Sequence, residues 1–328
     1  MSHTASLRRR AIITGAACGL VTLAAPAVAD PSFPNRPIKL ILPFPPGGST
    51  NVLARLLGQK LSESIGQPVV VENRAGANAV VGTDAVAKSA PDGYTLLLTL
   101  NAHIITPLLA KTPYDPMKDF QPLTTVATGE ILLVVNPTVK ANNLQELIAL
   151  AKARPGELNY ASAGLGTPLH LAAESFNLLA GVKITNVPYK GSGPAVADLL
   201  SGQVQMYFSG PLPSIPFVQS GKLRAIAYSG DARFASLPTV PTVTEAGLPG
   251  YNGGYWYGVL APAGTPRDIA NKLTAEITKA MAQPDLRETL IAQGMQPVTS
   301  SQERFAAILR DDTANFTRII KAANIKAE

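Results

Sequence analysis

Two hydrophobic periods alternate along this chain. Ile38 to Leu42 is a mostly apolar run of strand length, and Val52, Leu53, Leu56, Leu57, Leu61 and Ile65 follow at the three-to-four spacing of one buried helix face. Gly66 stands where a helix-ending glycine is favoured, with Pro68 just beyond. Between strand and helix lies Pro45-Pro46-Gly47-Gly48-Ser49-Thr50-Asn51. Pro68 to Glu72 reads as a second strand, Asn73 to Asn78 as another glycine loop, and Ala79 to Lys88 as a small-residue helix. A turn at Pro91-Asp92-Gly93 leads to a third strand, Tyr94 to Leu100. Strands alternating with helices predict a mostly parallel sheet covered on both faces. Ligands of such sheets bind at the carboxyl ends of the strands, where both glycine loops fall.

Residues 106–123 read as irregular and proline-rich, and the pattern restarts at a strand from Ile131 to Val135. Asn143 caps a helix to about Ala153, and Leu158 to Ala161 is a strand. Thr167 caps the next helix, with Pro168 in its first turn and Gly181 at its end. Lys183 to Val187 leads through Tyr189-Lys190-Gly191-Ser192-Gly193 to a helix opened by Pro194 and closed by Gly202. Val204 to Phe208 and Leu223 to Tyr228 complete this set. Tyr255 to Leu260 is a further strand. Thr265 caps a helix with Pro266 at its start, and helices follow over about Asp285 to Gln293 and over Gln302 to Ala323, the last with a Ser300/Glu303 capping box. These closing helices have almost no strands of their own and are assigned to the first unit. The expectation is two α/β lobes, 30–130 with 252–328 and 131–251, joined by crossovers near 126–136 and 225–256.

Composition changes the picture mainly at the N-terminus. Arg8, Arg9 and Arg10, the apolar run Ala11 to Ala25 and Ala27-Val28-Ala29 have the layout of a cleaved export signal over 1–29. That run is short of the roughly 20 residues a membrane span needs. The paired arginines leave Sec and twin-arginine export both open. Cys18, the only cysteine, falls in the signal, so the mature chain has no thiol for a disulfide, a nucleophile or a metal. The whole chain is +6; losing three arginines takes Lys+Arg from 28 to 25 against 22 acids, or +3. That balance excludes a nucleic-acid binder and suits a protein handling small anions. With 46% hydrophobic and 15% charged residues, the chain has ample material for a core.

Catalytic motifs are missing. There is no G-x-S-x-G elbow, phosphate loop or H-E-x-x-H, and Gly164-Leu165-Gly166 lacks the third glycine of a dinucleotide fingerprint. His103 and His170 have no metal-pair spacing, so neither metal nor cofactor is expected. Ser162 with His170 imitates part of a hydrolase triad without a visible acid or oxyanion hole. An exported hydrolase on those two residues is the alternative from another class.

Four loops remain, at 45–51, 73–78, 162–167 and 189–193, each a strand end with glycines leading to a helix start. They offer backbone N–H groups and small hydroxyls rather than charges. A helix N-terminus attracts an anion by about 0.3–1 kcal/mol when exposed. Arg74 either adds a charge-assisted bond or ties its loop down.

The runs PFPPGGST, VVVENRAGANAVVGTDAVAKSAPDGYTLLL, ASAGLGTPLHLAAE, VPYKGSGPAVADLLSGQV, LPTVPTVTEAG and WYGVLAPAGTP together resemble the Bug family. Its members are extracytoplasmic solute-binding receptors of tripartite tricarboxylate transporters. The resemblance spans nearly all of the mature chain in motif order. It implies a type II periplasmic-binding-protein fold, a monomer whose cleft closes on a carboxylate and whose partners are membrane permease subunits. A ligand sensor for a membrane regulator would share the same binding physics. Carried onto this sequence, the clamp falls on Gly47, Gly48, Ser49, Thr50 and Asn51 and on Ala75, Gly76 and Ala77. The second lobe contributes Ser162, Ala163, Gly164, Gly166, Thr167, His170 and Tyr189. Phe44, Arg74, His103 and Ser209 complete the expected set, with Phe44, Tyr189 and Tyr207 as possible apolar walls. Relatives usually carry Asp where Asn51 stands, so this chain keeps a helix cap and loses a charge. Many also carry an acid where Phe208-Ser209-Gly210 has none, which favours a mono- or dicarboxylate without an amino group.

Overall fold

The computed structural model describes residues 33–326 apart from 47, 48, 163, 190 and 252; the expected export signal lies outside them. The chain begins with β1 (Ile38–Leu42), α1 (Ser49–Ile65), β2 (Val69–Asn73), α2 (Val80–Ala87), β3 (Thr95–Leu100), α3 (Ala102–Leu109) and β4 (Phe120–Gly129). It crosses to β5 (Leu132–Val135), α4 (Leu144–Ala153), β6 (Asn159–Ser162), α5 (Pro168–Ala180), β7 (Thr185–Pro188), α6 (Ser192–Ser201), β8 (Met206–Ser209), α7 (Pro211–Gln219) and β9 (Arg224–Tyr228). It then returns as β10 (Tyr255–Pro262), α8 (Arg267–Met281), α9 (Pro284–Ala292), β11 (Met295–Pro297) and α10 (Gln302–Ala322).

Two sheets result, ordered β11-β4-β10-β3-β1-β2 and β7-β6-β8-β5-β9. They are mixed rather than mostly parallel. β1 runs parallel to β2 and β3, and β6 parallel to β7 and β8. β10 is antiparallel to β3 and β4, and β5 is antiparallel to β8 and β9. In the second sheet only β5, the strand arriving from the first sheet, runs against the rest; in the first sheet both β10, which arrives from the second, and β11 do.

Leu40, Leu42, Leu53, Leu57, Leu96 and Val259 pack under one face of the first sheet. Ile41, Leu97, Leu260 and Phe305 fill its other face. The second sheet is sandwiched likewise, by clusters around Phe176 and Phe208 and around Tyr207 and Leu199. Leu171 of α5 belongs to the first sheet's outer cluster with Leu309 and Phe316 of α10, so the last helix grips both halves.

Between the halves the two crossovers lie side by side. The Ser229 hydroxyl donates to Glu130 at 2.8 Å and accepts from the Ile131 N–H at 2.7 Å, and Ser229 N–H reaches Ile131 O at 2.9 Å. Burial pushes the Glu130 carboxyl above its ordinary range.

Several sequence expectations move. Residues 106–123 are not all irregular: α3 includes Pro107, and β4 begins at Phe120. Pro107 forgoes one helical bond, and full burial of Ile104 and Ile105 outweighs that loss. α7, with Pro211, Pro213 and Pro216, also escaped detection because proline reads as a breaker. Asn143 and Thr167 cap their helices as expected. The last helix is capped by Ser301 instead of Ser300, whose N–H and hydroxyl bond the Thr124–Thr125 backbone and side chain. Thr265 caps nothing; its hydroxyl donates to Pro262 O.

Candidate functional site

Three helices that start at the carboxyl ends of β1, β6 and β7 point their N-termini into one cavity of about 630 Å³. Its wall includes Phe44, Ser49 and Thr50 from the first loop and Ala75 to Ala79 from the second. The other half supplies Leu165, Gly166, Thr167, Pro168, Leu169, Gly191 and Ser192, and Tyr255 and Tyr257 close the back. No charged side chain is among these described lining residues. An anion placed here meets N–H groups, hydroxyls and helix N-termini.

The first loop delivers Ser49 and Thr50 as the opening residues of α1, half-buried beside the cavity. Gly47 and Gly48 lie outside the described residues. Asn51 is a correction: it is the third residue of α1, not its cap, and does not line the cavity. Its amide donates to Asn73 at 3.0 Å and accepts from Arg55 at 3.1 Å, while Asn73 donates to Phe44 O at 2.9 Å. This chain of amides ties the first loop to the second. Asn51 therefore acts through the shape of the loops.

The second loop is held in an unusual shape. Gly76 has φ 145°, and Ala77, Asn78 and Ala79 follow at 46°, 50° and 74°. Left-handed backbone at non-glycine residues costs roughly 1–2 kcal/mol each and persists only where surroundings fix it. Here Thr106 donates to Asn78 O at 3.0 Å, and Val80 and Val81 donate back to Ala77 O and Gly76 O. The N–H groups of Ala75 to Ala79 meet no acceptor among the described residues. They form a nest of donors beside Ser49 and Thr50.

The second half is built with glycine. Gly164, Gly166 and Gly191 have φ of 131°, 69° and 105°. Thr167 accepts from His170 N–H at 3.3 Å and donates to Gly164 O at 2.8 Å. His170 Nδ1 accepts from Gly166 N–H at 3.0 Å, which requires a neutral ring, and burial holds its pKa down at about 4. Ser192 on the wall is braced by Tyr207, whose hydroxyl donates to it at 3.0 Å. Tyr207 itself is fully buried. The phenols of Tyr255 and Tyr257 sit with ring centroids 5.5 Å apart, and burial first, then each other's proximity, keeps Tyr257 protonated as a donor.

A second chamber of about 660 Å³ adjoins the first and shares Ala77, Asn78, Thr106, Leu165, Gly166 and Thr167 with it. Gly164, Leu109, Lys111, Tyr189 and Lys326 lie on its wall. Tyr189 donates to Asp198 at 2.8 Å, and burial, then that bond, pushes its phenol up to about 12.

Besides Asn51 and His170, four expected residues line neither chamber. Arg74 pairs with Glu72 at 2.8 Å, the loop-tying alternative, and does not line either chamber. His103 is fully buried with Nε2 2.9 Å from Pro116 O and its ring edge-on to Phe120 at 4.7 Å; burial lowers its pKa to about 4. Ser209 is buried, donating to Gly210 O at 2.6 Å and accepting from Ser214. The Ser162 hydroxyl is buried with no partner among the described residues, His170 included, so the hydrolase dyad is not assembled. Ala163 lies outside the described residues. Wall residues that sequence reasoning missed are Asn78, Thr106, Ser192, Tyr255 and Tyr257. The two tyrosines carried a signal, since alternate strand residues share a face.

Residues 53–325 match the family model described as the tripartite tricarboxylate transporter family receptor. Protein BugT of Bordetella pertussis (strain Tohama I) is 40% identical over 324 residues, 98% of this chain and 99% of its own. The solved structure of Rpa4515 of R. palustris with adipate has a TM-score of 0.77 at 34% identity, over 90% of this chain and 99% of that one. MatC from Rhodopseudomonas palustris with bound malate has a TM-score of 0.73 at 32% identity, over 88% and 100%. The two-lobe α/β fold is that of periplasmic binding proteins, as expected from the sequence.

Proposed function

This chain belongs to the tripartite tricarboxylate transporter receptor family, the Bug family its motifs resemble, and on that premise we propose that it captures a small non-amino carboxylate. The family's members are solute-binding receptors, not enzymes. In this reading the mature chain works in the periplasm and delivers its ligand to a membrane permease of the tripartite type.

One observation carries the ligand class. The inner cavity gathers helix N-termini, the donor nest at Ala75 to Ala79 and two protonated tyrosines, with no charged side chain among its described wall residues. Neutral donors suit a carboxylate, and a ligand ammonium has no acid to meet. Relatives solved with adipate and with malate point to the same chemistry. A ligand touching both halves favours the closed arrangement because only that state offers both sets of contacts.

Calorimetric titration across mono-, di- and tricarboxylates and amino acids tests this. The expected result is saturable binding of a plain carboxylate, one per chain, with amino acids inert. Binding of amino acids in preference to plain carboxylates would overturn the ligand class.

A further inference from the structure

The outer chamber has charge on its wall where the inner one has none, at Lys111 and Lys326. They are the only charged side chains among the described residues lining either chamber, and no carboxylate lines either one. Both are exposed, and neither has a hydrogen-bond or ion-pair partner among the described residues. They reach the chamber from separate elements, Lys111 just after α3 and Lys326 beyond the end of α10. Two unpartnered cations converging on one space from distant parts of the chain call for a negative charge there.

We propose that Lys111 and Lys326 are the charge-selecting residues of this receptor, meeting the distal anionic group of a ligand whose first carboxylate sits in the neutral inner cavity. This rests on the carboxylate reading above and deepens it. The inner cavity would hold any small carboxylate, because its donors are neutral and local. Selection of a dianion over a monoanion of equal length would reside in the outer pair. A lysine ammonium is a flexible point charge without a fixed geometry, so the pair selects charge and tolerates variation in ligand length.

The test is calorimetry on the mature protein with straight-chain dicarboxylates from succinate to suberate, each matched with the monocarboxylate of the same carbon number. Wild type is expected to prefer the dianion of at least one pair, with a preference that weakens as salt is raised. Lys111→Met and Lys326→Met should each lower dianion affinity by about five- to tenfold, between an exposed ion pair and a charge-assisted hydrogen bond. Monoanion affinity should not change, and the salt dependence should flatten in the double variant. Lysines that only stabilise helix ends would lower the melting temperature and leave the dianion-to-monoanion ratio intact, which overturns the proposal. Equal losses for both ligand types would also overturn it. If wild type binds monoanions and dianions alike, the outer pair selects nothing and the carboxylate reading survives. If it binds no carboxylate at all, that reading falls and the inference with it.

Discussion

The two sides of the cavity reach similar shapes by opposite means. On the first, alanine and asparagine are forced into left-handed backbone at 77–79, and a web of side-chain bonds from Thr106, Asn73 and Asn51 keeps them and the neighbouring loop in place. On the second, glycines occupy the positive-φ positions at 164, 166 and 191, and two residues of α5, its cap Thr167 and His170, supply the bracing. A strained loop held by its surroundings is pre-organised, and a glycine loop is free to adjust. The first side therefore suits recognition of a fixed carboxylate, and the second suits closure over ligands of varying shape.

Acid should have the largest effect, acting through one buried histidine on each side, and a single substitution isolates the second side's share. The His170 pKa is about 4 in the fold against an ordinary 6.5, so the folded state resists protonation. Stability from this group is complete above pH 6.5 and is lost as pH falls through 4, reaching about 3 kcal/mol at pH 4. His103, behind the first side, is depressed to the same value and titrates in the same window. Glu130 and Asp312, raised by burial, act with the opposite sign. The informative quantity is thus the difference between wild type and His170→Gln in urea unfolding at pH 7 and at pH 4. The variant should lose about 1 kcal/mol at pH 7, where Gly166 N–H forfeits its acceptor, and keep only the His103 share of the acid sensitivity. An unchanged pH dependence would remove His170 as the brace of the second side.

One substitution made on both sides should give opposite signs. A Cβ at Gly82 in α2 would stand 2.7 Å from Arg74 O and 2.8 Å from Pro43 Cβ, pressing on the backbone of both first-side loops. Gly193, in α6, has nothing within 4 Å of such a Cβ. Helix propensity alone favours alanine at either site by up to about 1 kcal/mol. Gly82→Ala should instead destabilise by about 2 kcal/mol, through overpacking, and weaken ligand binding. Gly193→Ala should stabilise by about 0.5 kcal/mol and leave binding intact. Stabilisation by Gly82→Ala would show that the first side yields as readily as the second.

The same contrast explains what could be read in the sequence. The strand–loop–helix units and their glycine loops were legible because they are local: apolar period, cap residue and punctuation lie within a few positions of one another. α3 and α7 were not, because their prolines read as breakers; in α3 the burial of Ile104 and Ile105 overrides that signal. Of the expected site residues, Phe44, Ser49, Thr50, Ala75, Gly76, Ala77, Gly164, Gly166, Thr167 and Tyr189 line the chambers. His103, Arg74 and Ser209 do not, since their partners, Pro116 O, Glu72 and Ser214, are fixed by packing that spacing does not encode. Asn51 was read as a cap because α1 starts two residues earlier than its polar run suggests. Within the run of positive φ at Ala77 to Ala79 only Asn78 carries a sequence signal, since asparagine tolerates left-handed backbone and nothing in alanine announces it.

That run gives the finest test of the contrast. Ala77 is exposed at φ 46°, so Ala77→Gly relieves backbone strain while giving up little buried surface. Glycine also gains freedom in the unfolded chain, which offsets part of the relief. A net stabilisation of about 0.5 kcal/mol is expected in thermal unfolding, with modestly weaker carboxylate binding as the donor nest loosens. The mirror change is Gly191→Ala, at φ 105° with nothing within 4 Å of the added Cβ, so backbone conformation alone is perturbed. It should destabilise by about 1 kcal/mol. If Ala77→Gly stabilises and also tightens binding, the strain in the first loop does not serve recognition. The left-handed run would then be a by-product of packing α2 against β1, and the donor nest would owe its shape to Gly76 alone.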